Sequence, residues 1–283
     1  MKKFFLLLVV CASVSQLKAQ NGVVFKIKYL PGRNYATMVN VGMKINATLS
    51  GDQQLIDKLS AQGITQPMNA SLSLSINGNT KTGVLNSDKT FPLNMDYKIA
   101  DISVEANGKQ FPIPPKATDK DIKASGHITQ DWQLQIDSAD GKKVNDTTSK
   151  KMQQMLDMFQ KQIQFPDKPL KPGDTFTQGA PMNIPVKGTD NIVVNASTTY
   201  KLVSIADGKA YFDIVPNFSM DFKIKTIAVN VIGTGTGKMV YSIKDSFPIS
   251  KEGTVNLKIK VTSDKINVDG TAVVTTKYSC TIN

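Results

Sequence analysis

From Tyr35 to Leu49 the odd positions are Tyr35, Thr37, Val39, Val41, Met43, Ile45, Ala47 and Leu49, while the even ones include Asn40, Lys44, Asn46 and Thr48. A period of two marks a strand with one face buried. Val23–Leu30 reads as its partner across a Pro31-Gly32 turn. The alternation returns at Ala70–Ile76, Phe91–Ile99 and from Ile128 through Trp132 and Leu134 to Ile136. It continues at Ile192–Ile205, Ala210–Ile224, Ile227–Ile243, Thr254–Val261 and Thr271–Ile282. Asn107-Gly108, Asp140-Gly141 and Asp207-Gly208 supply the positive φ of tight hairpins. Between Ile99 and Ile102 the apolar phase passes from odd to even, which predicts a β-bulge or a strand end.

Two stretches have helical spacing instead. Asp52–Gln62 places Leu55, Ile56 and Leu59 on one side, with Gly63 as a stop. Thr148–Ile163 carries an apolar stripe of Met152, Met155, Leu156, Phe159 and Ile163. Pro166, Pro169 and Pro172 then impose an extended segment, and 164–176 is the natural place for a hinge between two lobes. Many strands and two helices predict an α+β fold: a curved, mainly antiparallel β-sheet, an open or half barrel, with one short and one longer helix packed on the concave face.

Ile227–Ile243 is the most informative strand. Its odd positions run Ile227, Val229, Val231, Gly233, Gly235, Gly237, Met239, Tyr241 and Ile243, so three successive inward positions lack a side chain. Glycine weakens a strand, so such a row implies that something bulky approaches closely. Two occupants stay open: the 152–163 stripe or a large aromatic packed into the groove, or an apolar ligand for which the groove is a cavity floor. On the second reading the ligand-binding residues are Gly233, Gly235, Gly237, Met239 and Tyr241, with Met155 and Phe159 from the helix. The string Gly233-Thr234-Gly235-Thr236-Gly237-Lys238 looks phosphate-binding, but the dinucleotide pattern needs glycine where Lys238 stands. A P-loop needs glycine at Ile232 and Ser or Thr at Met239, and both motifs require a helix to begin there.

The beginning of the chain predicts where the protein goes. Lys2 and Lys3 precede an apolar run from Phe4 to Val14 that is too short for an anchor but suited to an export signal. Cleavage is expected after Ala19, leaving residues 20–283 as the mature protein. Lipidation at Cys11 is disfavoured by Val10 before it. The whole chain carries 34 basic and 23 acidic residues, a formal +11; loss of Lys2, Lys3 and Lys18 leaves 31 basic residues and +8. Arg33 is the only arginine. Without the bidentate guanidinium fork that grips phosphates and guanine edges, a nucleic-acid partner is not expected. A lysine-rich face suits solubility or loose attraction to an anionic envelope component.

Catalytic chemistry has little to draw on. His127 is the only histidine and Cys280 the only cysteine beyond the leader, which excludes multi-histidine and cysteine-rich metal sites and an internal disulfide. His127 shares a polar face with Asp131, no serine stands in a G-x-S-x-G setting, and Cys280 falls on the apolar side of the last strand. Asp119 with Asp121, and Asp137 with Asp140, do not continue into a calcium-binding ladder. No enzyme activity, cofactor or metal is expected.

The order of leader, hairpin around Tyr29-Leu30-Pro31-Gly32, helix, Phe165-Pro166-Asp167-Lys168-Pro169-Leu170-Lys171-Pro172-Gly173-Asp174-Thr175-Phe176 and final β meander resembles a family of uncharacterised exported bacterial proteins. That family looks similar in architecture to lipoprotein carriers of the LolA and LppX type, in which a curved antiparallel sheet wraps around helices. The resemblance implies no activity and transfers no functional residue. The reading is therefore an exported, non-enzymatic protein of a Gram-negative envelope, periplasmic, outer-membrane-associated or extracellular. It holds a lipid or acyl chain in a curved sheet; the alternative is a packed structural or interaction protein that uses its lysines.

Overall fold

The structure, a computed structural model, describes residues 22–63, 65–113, 121–143, 163–184 and 192–283. The strands are β1 (Asn34–Gly51), β2 (Met68–Thr82), β3 (Phe91–Ala106), β4 (Lys109–Phe111), β5 (Ile122–Ile128), β6 (Leu134–Ala139) and β7 (Lys142–Lys143), followed by β8 (Thr175–Ile184), β9 (Ile192–Ala206), β10 (Lys209–Ile224), β11 (Ile227–Ser242), β12 (Phe247–Thr262) and β13 (Ile266–Ile282). They form one antiparallel sheet in the order β7-β6-β5-β3-β2-β1-β13-β12-β11-β10-β9-β8, with β4 on β3. Two meanders are thus joined where the first strand meets the last. β1 and β13 pair from Tyr35 and Ile282 to Gly51 and Ile266.

The expected α+β class is overturned: 69% of the described residues are strand and 4% helix. Among the described residues the only helix is α1 (Gln53–Ala61), capped by Asp52, whose carboxylate accepts from the Leu55 amide at 3.2 Å. The predicted second helix, with Met155 and Phe159, lies outside the described residues apart from Ile163. Two strand assignments also change. Ile128–Ile136 breaks into β5 and β6 around a tight turn in which Trp132 has φ 61°, because Thr129 and Gln133 close a hairpin there. Val23–Leu30 does not pair with β1, because both edges of β1 are already occupied by β2 and β13.

That N-terminal segment instead forms an extended strap on the inward face of the sheet. Val23 exchanges two hydrogen bonds of 2.9 Å with Leu170, the Lys28 amide donates to Ser246 O, and the Tyr241 hydroxyl donates to Lys26 O at 2.5 Å. At the far end Thr82 Oγ1 donates to Leu30 O, and Tyr35 OH accepts from the Leu30 amide at 2.6 Å. Odd residues of the strap enter every core cluster. Phe25 packs with Tyr200, Phe212, Met239 and Tyr241; Ile27 and Tyr29 meet Tyr35, Phe247 and Cys280; Tyr29 also meets Phe91, Leu93 and Ile128. Phe25 is 2% exposed, with its ring centroid 5.2–5.3 Å from those of Phe165, Phe212 and Tyr241. The strap therefore supplies the second layer that a one-sided apolar sheet requires.

Local breaks adjust the long strands. The 107–108, 140–141 and 207–208 pairs all have positive φ, as hairpin geometry demands. The phase change after Ile99 is a bulge: Ser75 faces Asp101 while Ile76 faces Ile99, leaving Ala100 without a counterpart. The glycine row has a related cause. A Cβ at Gly235 would fall on the Thr254 carbonyl oxygen, one at Gly237 on the Glu252 carbonyl oxygen, and one at Gly233 on the Leu257 side chain and 2.7 Å from Asn256 O. The bulky neighbour is thus chiefly the backbone of β12, leaning over the inward side of β11, and glycine permits that close approach.

Two stability measurements check these assignments. Phe25→Ala should lower unfolding free energy in urea by about 3–5 kcal/mol, because the strap has no room to collapse into the space left by the ring. Gly235→Ala should lower it by about 1–3 kcal/mol through overpacking against the β12 carbonyl. Stability unchanged in the second variant would show that β12 does not press on the glycine row.

Candidate functional site

The inward face has two unlike halves. At the strap end lie Tyr35, Phe91, Leu93, Tyr200, Phe212, Met239 and Phe247, all buried. Towards the other end the apolar pattern continues with Met43 and Ile45 of β1, Leu72 and Leu74 of β2, Phe218, Met220 and Phe222 of β10, Leu257, Ile259 and Val261 of β12 and Val274 of β13. These side chains are only half-buried. Smaller inward residues such as Ala47, Val194, Val231 and Ala272 are fully buried among them.

A cavity of about 910 Å³ crosses this half, lined from β8 to β13. It takes in Ala196, Phe218, Gly233, Leu257 and Ala272 of one inward row, together with flanking outward residues such as Asn195, Asn217, Ile232 and Lys258. Of the three glycines, Gly233 borders this space; Gly235 and Gly237 do not. All three share the face of Val231 and Met239, so the row points inward. Met239 and Tyr241 belong to the strap-end core, at 1% and 2% exposure, and are covered by protein rather than open to a ligand. Met155 and Phe159 lie outside the described residues. The phosphate-like string is a strand paired on both sides, with no helix after it.

Between the two halves lies a polar belt that the sequence reading passed over. Met239, Lys251, Tyr278 and Val39 stand opposite one another on successive strands, which places Lys251 on the inward face. The next row towards the open half is Gly237, Gly253, Thr276 and Val41, where Thr276 is exposed although it faces inward. Tyr97 lies nearby, its hydroxyl 3.3 Å from Thr80 Oγ1. Burial pushes the Tyr278 phenol well up, with Cys280, Tyr29 and Tyr97 adding to the effect; burial also raises Tyr29 and Tyr97. The signal for Lys251 was present in the sequence. The odd phase of Val255, Leu257 and Ile259 extends back through Gly253 to position 251.

The residues considered for catalysis remain apart. His127 Nδ1 lies 2.9 Å from Asp137 Oδ2 across the β5–β6 hairpin, rather than beside Asp131, and both side chains are substantially exposed. Cys280 is buried, and desolvation pushes its thiol up to about 11, which keeps it protonated near neutral pH. Among the described residues no three His, Cys, Asp or Glu side chains are grouped to hold a metal ion. No described helix is long and apolar enough to cross a membrane.

No protein-family model and no curated protein matches the chain. Among solved structures, a bacterial polysaccharide outer-membrane secretin is similar at 8% identity and TM-score 0.22, covering 86% of this chain and 98% of that one. OpdQ of Pseudomonas aeruginosa is similar at 7% identity and TM-score 0.22, covering 87% and 99%. The outer-membrane protease OmpT of Escherichia coli is similar at 7% identity and TM-score 0.19, covering 90% and 99%. The first and third are named as outer-membrane proteins, and none of the three is named as a lipoprotein carrier. At such scores the likeness carries no argument about fold or activity; the described residues form one antiparallel sheet with one short helix.

Proposed function

We propose that this protein is an exported, non-enzymatic envelope protein that holds an apolar ligand, a lipid or acyl chain, against the inward face of the open half of its sheet. One observation carries the reading. The same alternation that builds the strap-end core continues along β1, β2, β10, β12 and β13, and there the apolar side chains stay half-exposed. An apolar surface continuing from a packed core gains free energy when a greasy partner removes it from water, at roughly 25 cal/mol per Å². The leader-like Lys2–Ala19 segment supports export, and such a location offers lipid as a partner.

A second reading rests on the opposite face. Lys44, Lys98, Lys238, Lys258, Lys260 and Lys277 point outward and are exposed, a field suited to an anionic envelope component. This face and the apolar face are on opposite sides of the sheet, so the two readings are separable.

Native mass spectrometry of the protein purified from its own envelope is expected to show a lipid-sized adduct. Leu257→Asp, which puts a carboxylate on the apolar face, is expected to weaken binding of a fluorescent fatty acid at least tenfold while the far-UV spectrum stays β-rich. A bare protein that also ignores the fatty acid would leave only the lysine-face reading.

A further inference from the structure

Every other lysine on the described strands is exposed, and Lys251 is half-buried. It stands on the inward face between Met239, which is 1% exposed, and Tyr278, at the boundary where the packed end gives way to apolar surface. The rows on its two sides differ sharply. Behind it are Tyr241, Phe247 and Cys280, all buried. Ahead of it Gly237 and Gly253 face each other with no side chain, and Thr276 beyond them is exposed. Position 251 is thus the last inward place on β12 beside the packed end, and the apolar row of Val255, Leu257 and Ile259 begins two residues beyond Gly253.

Among the described residues no counter-charge reaches it. Burial lowers the Lys251 ammonium below its ordinary value, and no nearby acid or hydrogen bond contributes to the shift. Among the described residues the one ion pair is that of His127 with Asp137, on the other meander. A partly buried cation without a counter-ion is costly, and an anion that arrives with an apolar tail removes the cost. From Lys251 to Leu257, beside the cavity, six residues of strand span about 20 Å, the reach of a long acyl tail. Tyr278 is beside it in the same row, its hydroxyl paired back to Cys280, and the Tyr97 hydroxyl lies 3.3 Å from Thr80 Oγ1.

We propose that the ligand is a long-chain carboxylate bound head inward, its carboxylate paired with Lys251 at the polar belt and its tail lying along the inward face past Gly253, Val255 and Leu257. This assignment rests on the apolar-ligand reading above and adds the chemistry of the head group. It distinguishes a fatty acid from an uncharged chain of the same length, which would gain the apolar contacts but leave the ammonium unpaired.

The test compares myristic acid with methyl myristate by titration calorimetry at pH 7, using the mature chain and the variants Lys251→Met and Lys251→Arg. The mature chain is expected to bind the acid at least tenfold more tightly than the ester. Lys251→Met should bring the acid down to the ester's affinity and leave the ester unchanged, and Lys251→Arg should keep the preference. Equal affinity for acid and ester in the unmodified chain overturns the head-group assignment whether or not Lys251→Met folds, as does a preference that survives in a folded Lys251→Met. In both of those cases ester binding leaves the apolar-ligand reading intact. If neither compound binds the unmodified chain, both proposals fall together.

Discussion

A sheet with one apolar face must cover that face, and here the cover described is an extended strap joined at one end by Ile163, Phe165 and Leu170. Val23, Phe25, Ile27 and Tyr29 reach three core clusters that draw on strands of both meanders, from β3, β5 and β6 on one side to β9, β10 and β11 on the other. The strap needs no ladder of its own, since its backbone groups find partners at Leu170, Ser246, Tyr35, Thr82 and Tyr241. Packing at the strap end depends on it. So does the contrast between the two halves of the inward face, because a strap crossing one end leaves the continuing apolar rows half-exposed.

The strands are long, so the closeness of their approach must vary along their length, and this is set at particular residues. At Gly233, Gly235 and Gly237 the carbonyls of β12 lean into space that side chains would otherwise fill. At Ala100 and near Tyr241 the register slips by a residue. The slip near Tyr241 leaves Ile249 unmatched, and beyond it Lys251 falls into the inward row with Met239 and Tyr278. The same local devices that shape the sheet thus carry a charged group to the border of the apolar surface. On the proposed function, that border is where a ligand's polar end belongs.

Much of the strand layout was legible because alternation is a local property. β1, β9, β10, β11 and β13 follow the odd and even apolar sets, and the bulge after Ile99 could be read from a change of phase. The hairpins at Asn107, Asp140 and Asp207 were legible because only a few residue types accept positive φ there. Trp132 misled because its place in an alternating run also fits a tight turn. The glycine row does point inward, and the described neighbour that crowds it is the β12 backbone: an adjacent strand can approach a Cα as closely as a helix or a ligand can, and the strand's own sequence does not say which.

Taken alone, the sequence determined the strand periods, the turn positions, the inward direction of the glycines and the scarcity of groups for metal or nucleophilic chemistry. Only the tertiary structure decided that β1 pairs with β13, that Val23–Leu30 lies across the face rather than in the ladder, and that Met239 and Tyr241 are sealed while Lys251 faces the open half. The physical reason is that strand pairing and layer stacking join residues more than 200 positions apart, such as Lys26 and Tyr241. Alternation fixes which way a side chain points, but what it meets there depends on which distant segment reaches that face first.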